Sequence, residues 1–173
     1  MNPINFLFTI ALVILVGSGA FFIKYQVTKK NQVQFPFFIS TRDSTTNLRS
    51  GPSKEYPIIL IYNKRGFPLK TLSRHNEWYA VEDFLGNRGW VYKNITTTKN
   101  TALITASETT VYRREFTTSK KVAIITKHNI IEVKNCPLSS LLCKIELKVK
   151  NSDLVIVGWV YKGDIWGANT LGE

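Results

Sequence analysis

Two cysteines and two histidines are the residues of this chain best suited to chemistry. A thiol nucleophile needs an oriented base beside it. His75 lies in the polar turn Arg74-His75-Asn76-Glu77, and His128 lies in another, Lys127-His128-Asn129. Cys136 and Cys143 are separated by the six residues Pro137–Leu142 and supply only two metal ligands, and His128 stands at no recognisable ligand spacing from them. If residues 130–135 and 144–149 are neighbouring antiparallel strands, the two sulfurs face each other across a hairpin. A disulfide closing so short a loop contributes about 2–3 kcal/mol, and such bridges persist in oxidising compartments. The alternative is two free thiols. Glu82-Asp83 sits at a strand end and reads as a solvated face rather than an acid–base pair. No glycine-rich phosphate loop is present. The chain therefore reads as non-enzymatic, with no cofactor and no metal.

The aromatic residues carry more information than the titratable ones. Gly89-Trp90-Val91-Tyr92-Lys93 returns as Gly158-Trp159-Val160-Tyr161-Lys162, with an isoleucine soon after each copy, at Ile95 and Ile165. A repeat with a period of about seventy residues reads as two small domains in tandem. The apolar residues are Ile, Val, Phe, Tyr and Trp with much Thr, a β-rich usage. Short runs at residues 58–62, 69–73, 78–82 and 89–92 alternate with polar turns, as in a small barrel or sandwich. In the second unit, Val111-Tyr112-Arg113 is aligned with Asn47-Leu48-Arg49 and residues 122–126 with 58–62. Asn129 then takes the left-handed turn position of Gly66. Trp90 is assigned to the core, and the repeat reads as the closing strand of each barrel.

The net charge of +11 raises the question of nucleic acid. Residues 37–97 hold nine basic against five acidic side chains, and residues 101–173 ten against seven. A dedicated nucleic-acid binder concentrates its basic residues on one face or helix. The even spread here reads instead as a basic, soluble surface. At the N-terminus, residues 5–23 form the only long apolar run, read as a leader helix. It is either a signal peptide cut after Ala20 or an uncleaved membrane anchor. Residues 25–35 form a polar, basic linker.

Taken in order, Asn47-Leu48-Arg49-Ser50-Gly51-Pro52-Ser53, Tyr56-Pro57-Ile58, Gly66, Trp78-Tyr79-Ala80-Val81 and Gly86-Asn87-Arg88-Gly89-Trp90-Val91 resemble the bacterial SH3-like domain family. The whole chain is similar to a tandem, exported subfamily common in alphaproteobacteria. Cys136, Cys143, Trp166-Gly167 and Gly172-Glu173 match its second unit, while Leu142 stands where a Trp commonly precedes the second Cys. The resemblance implies an all-β fold of two SH3-like barrels, residues 36–97 and a degenerate copy at 101–168, with a tail at 169–173. It also implies an aromatic peptide groove, with Tyr56 and Trp78 lining it and Arg49 and Glu77 at its rim. The implied setting is the periplasm or cell envelope, and the implied partner a peptidoglycan stem peptide or an envelope protein. An envelope scaffold that never touches the wall is the second reading. A cytosolic nucleic-acid-binding barrel is the third.

Overall fold

The computed structural model describes residues 34–149 and 151–169, together with the backbone of two short pieces near the N-terminus. Those pieces, β1 (Ala11–Ile14) and β2 (Phe21–Lys24), are extended and pair antiparallel, where a leader helix was expected. The rest of that segment and the cleavage point after Ala20 lie outside the described residues, as does the Gly172-Glu173 end. Among the described residues no helix is long and apolar enough to cross a membrane.

The first barrel is built from β3 (Phe37–Thr41), β4 (Thr46–Arg49), β5 (Ile58–Tyr62), β6 (Pro68–His75), β7 (Trp78–Glu82) and β8 (Arg88–Tyr92). A 3-10 turn at Lys93–Ile95 then leads into β9 (Thr96–Thr97). The second is built from β10 (Thr101–Ile104), β11 (Glu108–Tyr112), β12 (Lys121–Thr126), β13 (Ile130–Asn135), β14 (Leu142–Lys148) and β15 (Val155–Tyr161). A 3-10 turn at Lys162–Asp164 leads into β16 (Ile165–Trp166). The two sheets run β5-β4-β8-β7-β6-β3-β9 and β12-β11-β15-β14-β13-β10-β16, all antiparallel. Adding seven to each label of the first gives the second. The repeat therefore extends to every strand.

Strand alternation explains the two cores. Val91 lies between Trp90 and Tyr92 and is fully buried, as is Val160 between Trp159 and Tyr161. Leu48, Leu69 and Val81 are among the residues that join Val91 in the first core, and Val111, Ile131 and Ile145 among those that join Val160 in the second. Each such side chain contributes about 1.5–3 kcal/mol through burial. The strand carrying the repeat does not lie at a sheet edge. β8 and β15 sit inside their sheets, joining β4 to β7 and β11 to β14.

Pairing also corrects the alignment of the two units by one residue. The β-bulge between Leu48 and Arg49 matches that between Val111 and Tyr112, so Tyr112, not Arg113, is the counterpart of Arg49. Residues 121–125 then match 58–62. The left-handed turn residue is His128 (φ 65°), opposite Gly66 (φ 78°), while Asn129 is not among the positive-φ residues. A one-residue slip moves every side chain to the other face. The two isoleucines after the repeat are likewise not equivalent: Ile95 ends one 3-10 turn where Asp164 ends the other, and Ile165 follows in β16. This exchange has a cost. Thr109 donates from its hydroxyl to Asp164 Oδ2 at 2.6 Å, whereas the buried hydroxyl of Thr46, at the matching position, finds no partner among the described residues. An unsatisfied buried hydroxyl costs about 1–3 kcal/mol. Thr46→Val is therefore expected to stabilise the protein by about 1 kcal/mol, and Thr109→Val to destabilise it. Urea midpoints at unchanged slope check both; a lower midpoint for Thr46→Val would refute the assignment.

The barrels are fastened to each other by the Trp166-Gly167 tail and its continuation. Trp166 sits edge-on against Phe38, with ring centroids 5.0 Å apart. Asn169 acts as a surrogate strand residue for β3. Its Oδ1 accepts from Phe38 N at 2.7 Å, and its Nδ2 donates to Phe38 O at 2.8 Å. Ser40 and Thr101 share a buried hydroxyl contact at 2.6 Å, and Thr101 donates on to Gly66 O at 2.7 Å.

Candidate functional site

Residues directly opposite each other on antiparallel strands point to the same face. Arg49 faces Trp90, Trp90 faces Ala80, and Trp78 faces Tyr92. These residues therefore share the outer face of the β4-β8-β7 sheet, with Val81 and Val91 beneath them in the core. Trp90 is half-buried on this face, not in the core as expected, and its ring meets His75 edge-on at 6.5 Å. Trp78 and Tyr92 pack ring to ring at 5.3 Å, in a tilted geometry. Trp90, Tyr92 and His75 were missed as members of the face. The signal was present, since Trp90 and Tyr92 flank Val91 at the period of a strand.

The four anticipated residues meet this face in different ways. Arg49 Nη1 donates to the carbonyls of Lys54 at 2.9 Å and Tyr56 at 2.7 Å, pinning the loop between β4 and β5. Tyr56 lays its ring over Gly51, where a Cβ would lie 2.5 Å from the ring carbons. That contact explains the glycine in Ser-Gly-Pro-Ser. Tyr56 is 47% exposed and so available to a ligand. Glu77 is exposed in the tight β6–β7 turn, made by Asn76 at φ 49°; it pairs with Arg74 at 3.0 Å and lies 3.9 Å from Lys93. Among the described residues no ring contact joins Tyr56 to Trp78. The two stand on the same barrel with Arg49 and Trp90 between them.

The second barrel does not reproduce this face. Tyr112 and Trp159 pair where Arg49 and Trp90 do, but Leu142 stands opposite Tyr161 in place of Trp78 and is only 4% exposed. Cys136 and Cys143 form a disulfide at the base of the longer β13–β14 loop. Lys162 holds that loop by donating from Nζ to Pro137 O and from its backbone N to Leu141 O. The bridge leaves neither sulfur as a free thiol for His75 or His128. His128 sits in its turn with its ring 6.1 Å from that of Phe84. Asp83 is not solvated as expected; it is 3% exposed and collects hydrogen bonds from the β7–β8 turn.

A family model described as "Bacterial SH3 domain" matches residues 42–96. No curated protein matches the chain. Among solved structures, NlpC2 from Trichomonas vaginalis is 9% identical with a TM-score of 0.32, over 78% of this chain and 49% of that one. NlpC1 from the same organism is 11% identical with a TM-score of 0.31, over 79% and 47%. The chain thus spans about half the length of those solved structures. Family match and strand order together place residues 42–96 in the bacterial SH3 domain family, and the chain carries that β fold twice.

Proposed function

We propose that this chain is an exported, non-catalytic binding module of the cell envelope that recognises peptide stems of the wall polymer through its first barrel. One observation carries the reading. The outer face of the first barrel gathers the half-buried rings of Trp90, Trp78 and Tyr92, whereas the second has Leu142 buried in place of Trp78 beside its disulfide-closed loop. Aromatic side chains offer large contact area with a polar edge, suited to an extended peptide. Glu77, Arg74 and Lys93 flank Trp78 with both signs of charge, matching stems that carry amino and carboxylate groups. The Cys136–Cys143 bridge supports an oxidising compartment.

Retention of the full chain on purified peptidoglycan tests this reading. Trp78→Ala is expected to lower it about tenfold, as truncating an aromatic anchor does at binding interfaces. Near-ultraviolet circular dichroism confirms that the variant is folded. Equal retention of both proteins, or none of either, would sink the proposal.

The envelope scaffold reading keeps one observation in its favour. Leu154, Val155 and Val157 of the second barrel are exposed by 57, 43 and 50%. Capture of an envelope protein that is lost in Val157→Glu, by a chain that does not bind the wall, would put that reading first.

A further inference from the structure

Between the barrels lies a cleft of about 730 Å³, away from the aromatic face. Its volume falls in the range of small-ligand sites, roughly 300–1,000 Å³. It exists because the Ser40–Thr101–Gly66 contacts and the Asn169 clasp hold the barrels together. Arg42 and Thr97 line both this cleft and a second hollow of about 320 Å³ that reaches Lys93, so the two hollows adjoin.

The charges of the cleft fall into two sets. Glu132 and Glu146 are already engaged: Lys99 holds Glu132 at 2.6 Å, and Lys134 holds Glu132 at 2.6 Å and Glu146 at 3.2 Å. Burial pushes the Glu132 carboxyl up, but hydrogen bonds from Lys134 and Lys99 outweigh it and hold the group below its ordinary value. The Glu132 carboxylate stays charged, and both carboxylates are occupied. Arg65 and Lys148 have no ion-pair partner among the described residues, and Arg42 has only its neighbour Asp43, at 3.3 Å on an exposed surface. A pair of that kind is worth little and exchanges readily. The cleft thus presents three available cations around the hydroxyls of Thr97 and Thr101.

We propose that this inter-barrel cleft binds an acidic peptide segment in extended form, its carboxylates on Arg42, Arg65 and Lys148. Three features select that class. The two adjoining hollows follow one another along the surface, and the Thr97 hydroxyl can bond a peptide backbone. Guanidinium groups pair with carboxylates through two parallel hydrogen bonds. The fixed carboxylates of Glu132 and Glu146 repel a dense polyanion, and the one aromatic residue among the described residues lining the two hollows, Tyr79, packs against the first core and offers no platform for stacking bases. The larger cleft shares no lining residue with Trp78, Trp90 or Tyr92, and only the adjoining hollow reaches Lys93 beside that face.

The test uses the full chain in mild detergent with a fluorescein-labelled extended peptide of alternating glutamate and glycine, read by anisotropy. Saturable binding is expected, weakened about tenfold in Arg42→Gln/Arg65→Gln and unchanged in Lys121→Gln/Lys127→Gln, which removes the same charge elsewhere. On the wild-type protein, amide shifts in a nuclear magnetic resonance titration should concentrate at Arg42, Arg65, Thr97 and Lys148, a readout that needs no variant. Equal weakening in both double variants, shifts spread over all surface lysines, or the absence of saturable binding overturns the proposal. So does displacement by inorganic phosphate at concentrations matched in charge, or tighter binding of a single-stranded oligonucleotide.

Discussion

Asp83→Ala is expected to destabilise the first barrel by about 3–4 kcal/mol, a large share of the net stability of so small a domain. Glu82 is an ordinary surface acid, paired with the exposed Arg88 at 2.6 Å. Asp83, one residue later, points inward. Its Oδ1 accepts the backbone N–H groups of Leu85 and Asn87, both at 2.9 Å. Its Oδ2 accepts Asn87 Nδ2 at 2.9 Å and the Tyr62 hydroxyl at 3.2 Å. Removing the carboxylate orphans two turn amides and a hydroxyl that is 94% shielded as part of Tyr62, itself 6% exposed and stacked on Phe67 at 4.9 Å. The variant also has a signature in pH. Burial raises the Tyr62 phenol well above its ordinary value of 10.0, and the charge and hydrogen bond of Asp83 raise it further. The folded state keeps that proton where the unfolded chain has released it. This contribution is therefore complete below about pH 10 and is lost as pH rises beyond it. Asp83→Ala should show a shallower alkaline decline as well as a lower urea midpoint. A loss under about 1 kcal/mol with an unchanged alkaline limb would show that the turn does not depend on this carboxylate.

Two kinds of information were legible in the residues to different degrees. Period-two patterning around Leu48, Val81 and Val91 is a local signal, and it identifies the strands directly. Register is not local. It is fixed by which residues pair, Leu48 with Leu60 in one unit and Val111 with Ala123 in the other, and no local pattern marks those partners, so the residues alone align the units one position off. Trp90 was misplaced for a related reason. A large apolar ring invites a core assignment, but its neighbour Val91 already occupies the inward position, so the ring must lie outside. Asp83 failed in the opposite direction, because the partners that bury it include Tyr62, twenty-one residues upstream. Arg49 was placed at the binding rim by resemblance, and both its loop contacts show a structural task that the motif alone does not disclose. The Trp166-Gly167 pair stood out as a motif, but its purpose depends on Phe38 and Pro68 of the other barrel.

Gly158→Ala is expected to cost about 3 kcal/mol and Gly89→Ala slightly less, although neither glycine has a positive φ. The reason is space. β4 meets β8 through the single pair Arg49–Trp90, and β11 meets β15 through Tyr112–Trp159. At each crossing the backbone of one strand passes over the glycine of the other, as at a barrel corner. A Cβ on Gly89 would lie 2.7 Å from Arg49 O and 2.7 Å from Leu48 Cγ. On Gly158 it would lie 2.5 Å from Tyr112 O and 2.5 Å from Val111 Cγ1. A carbonyl oxygen on a paired strand cannot yield without breaking the ladder, and Leu48 and Val111 are fully buried core residues with nowhere to move. Gly86 supplies the contrast. Its φ is 85° and nothing lies within 4 Å of its would-be Cβ, so Gly86→Ala meets backbone strain alone, about 1 kcal/mol. Urea denaturation should therefore rank the three losses Gly158, Gly89, Gly86 in decreasing order. Hydrogen exchange should assign the first loss to the second barrel and the other two to the first. If Gly86→Ala proved the costliest, conformational freedom rather than close approach would be what the glycine supplies. The expected order makes the Gly-Trp step of the repeat a steric requirement of each barrel: the glycine lets the strands cross, and the tryptophan beside it lands on the outer face.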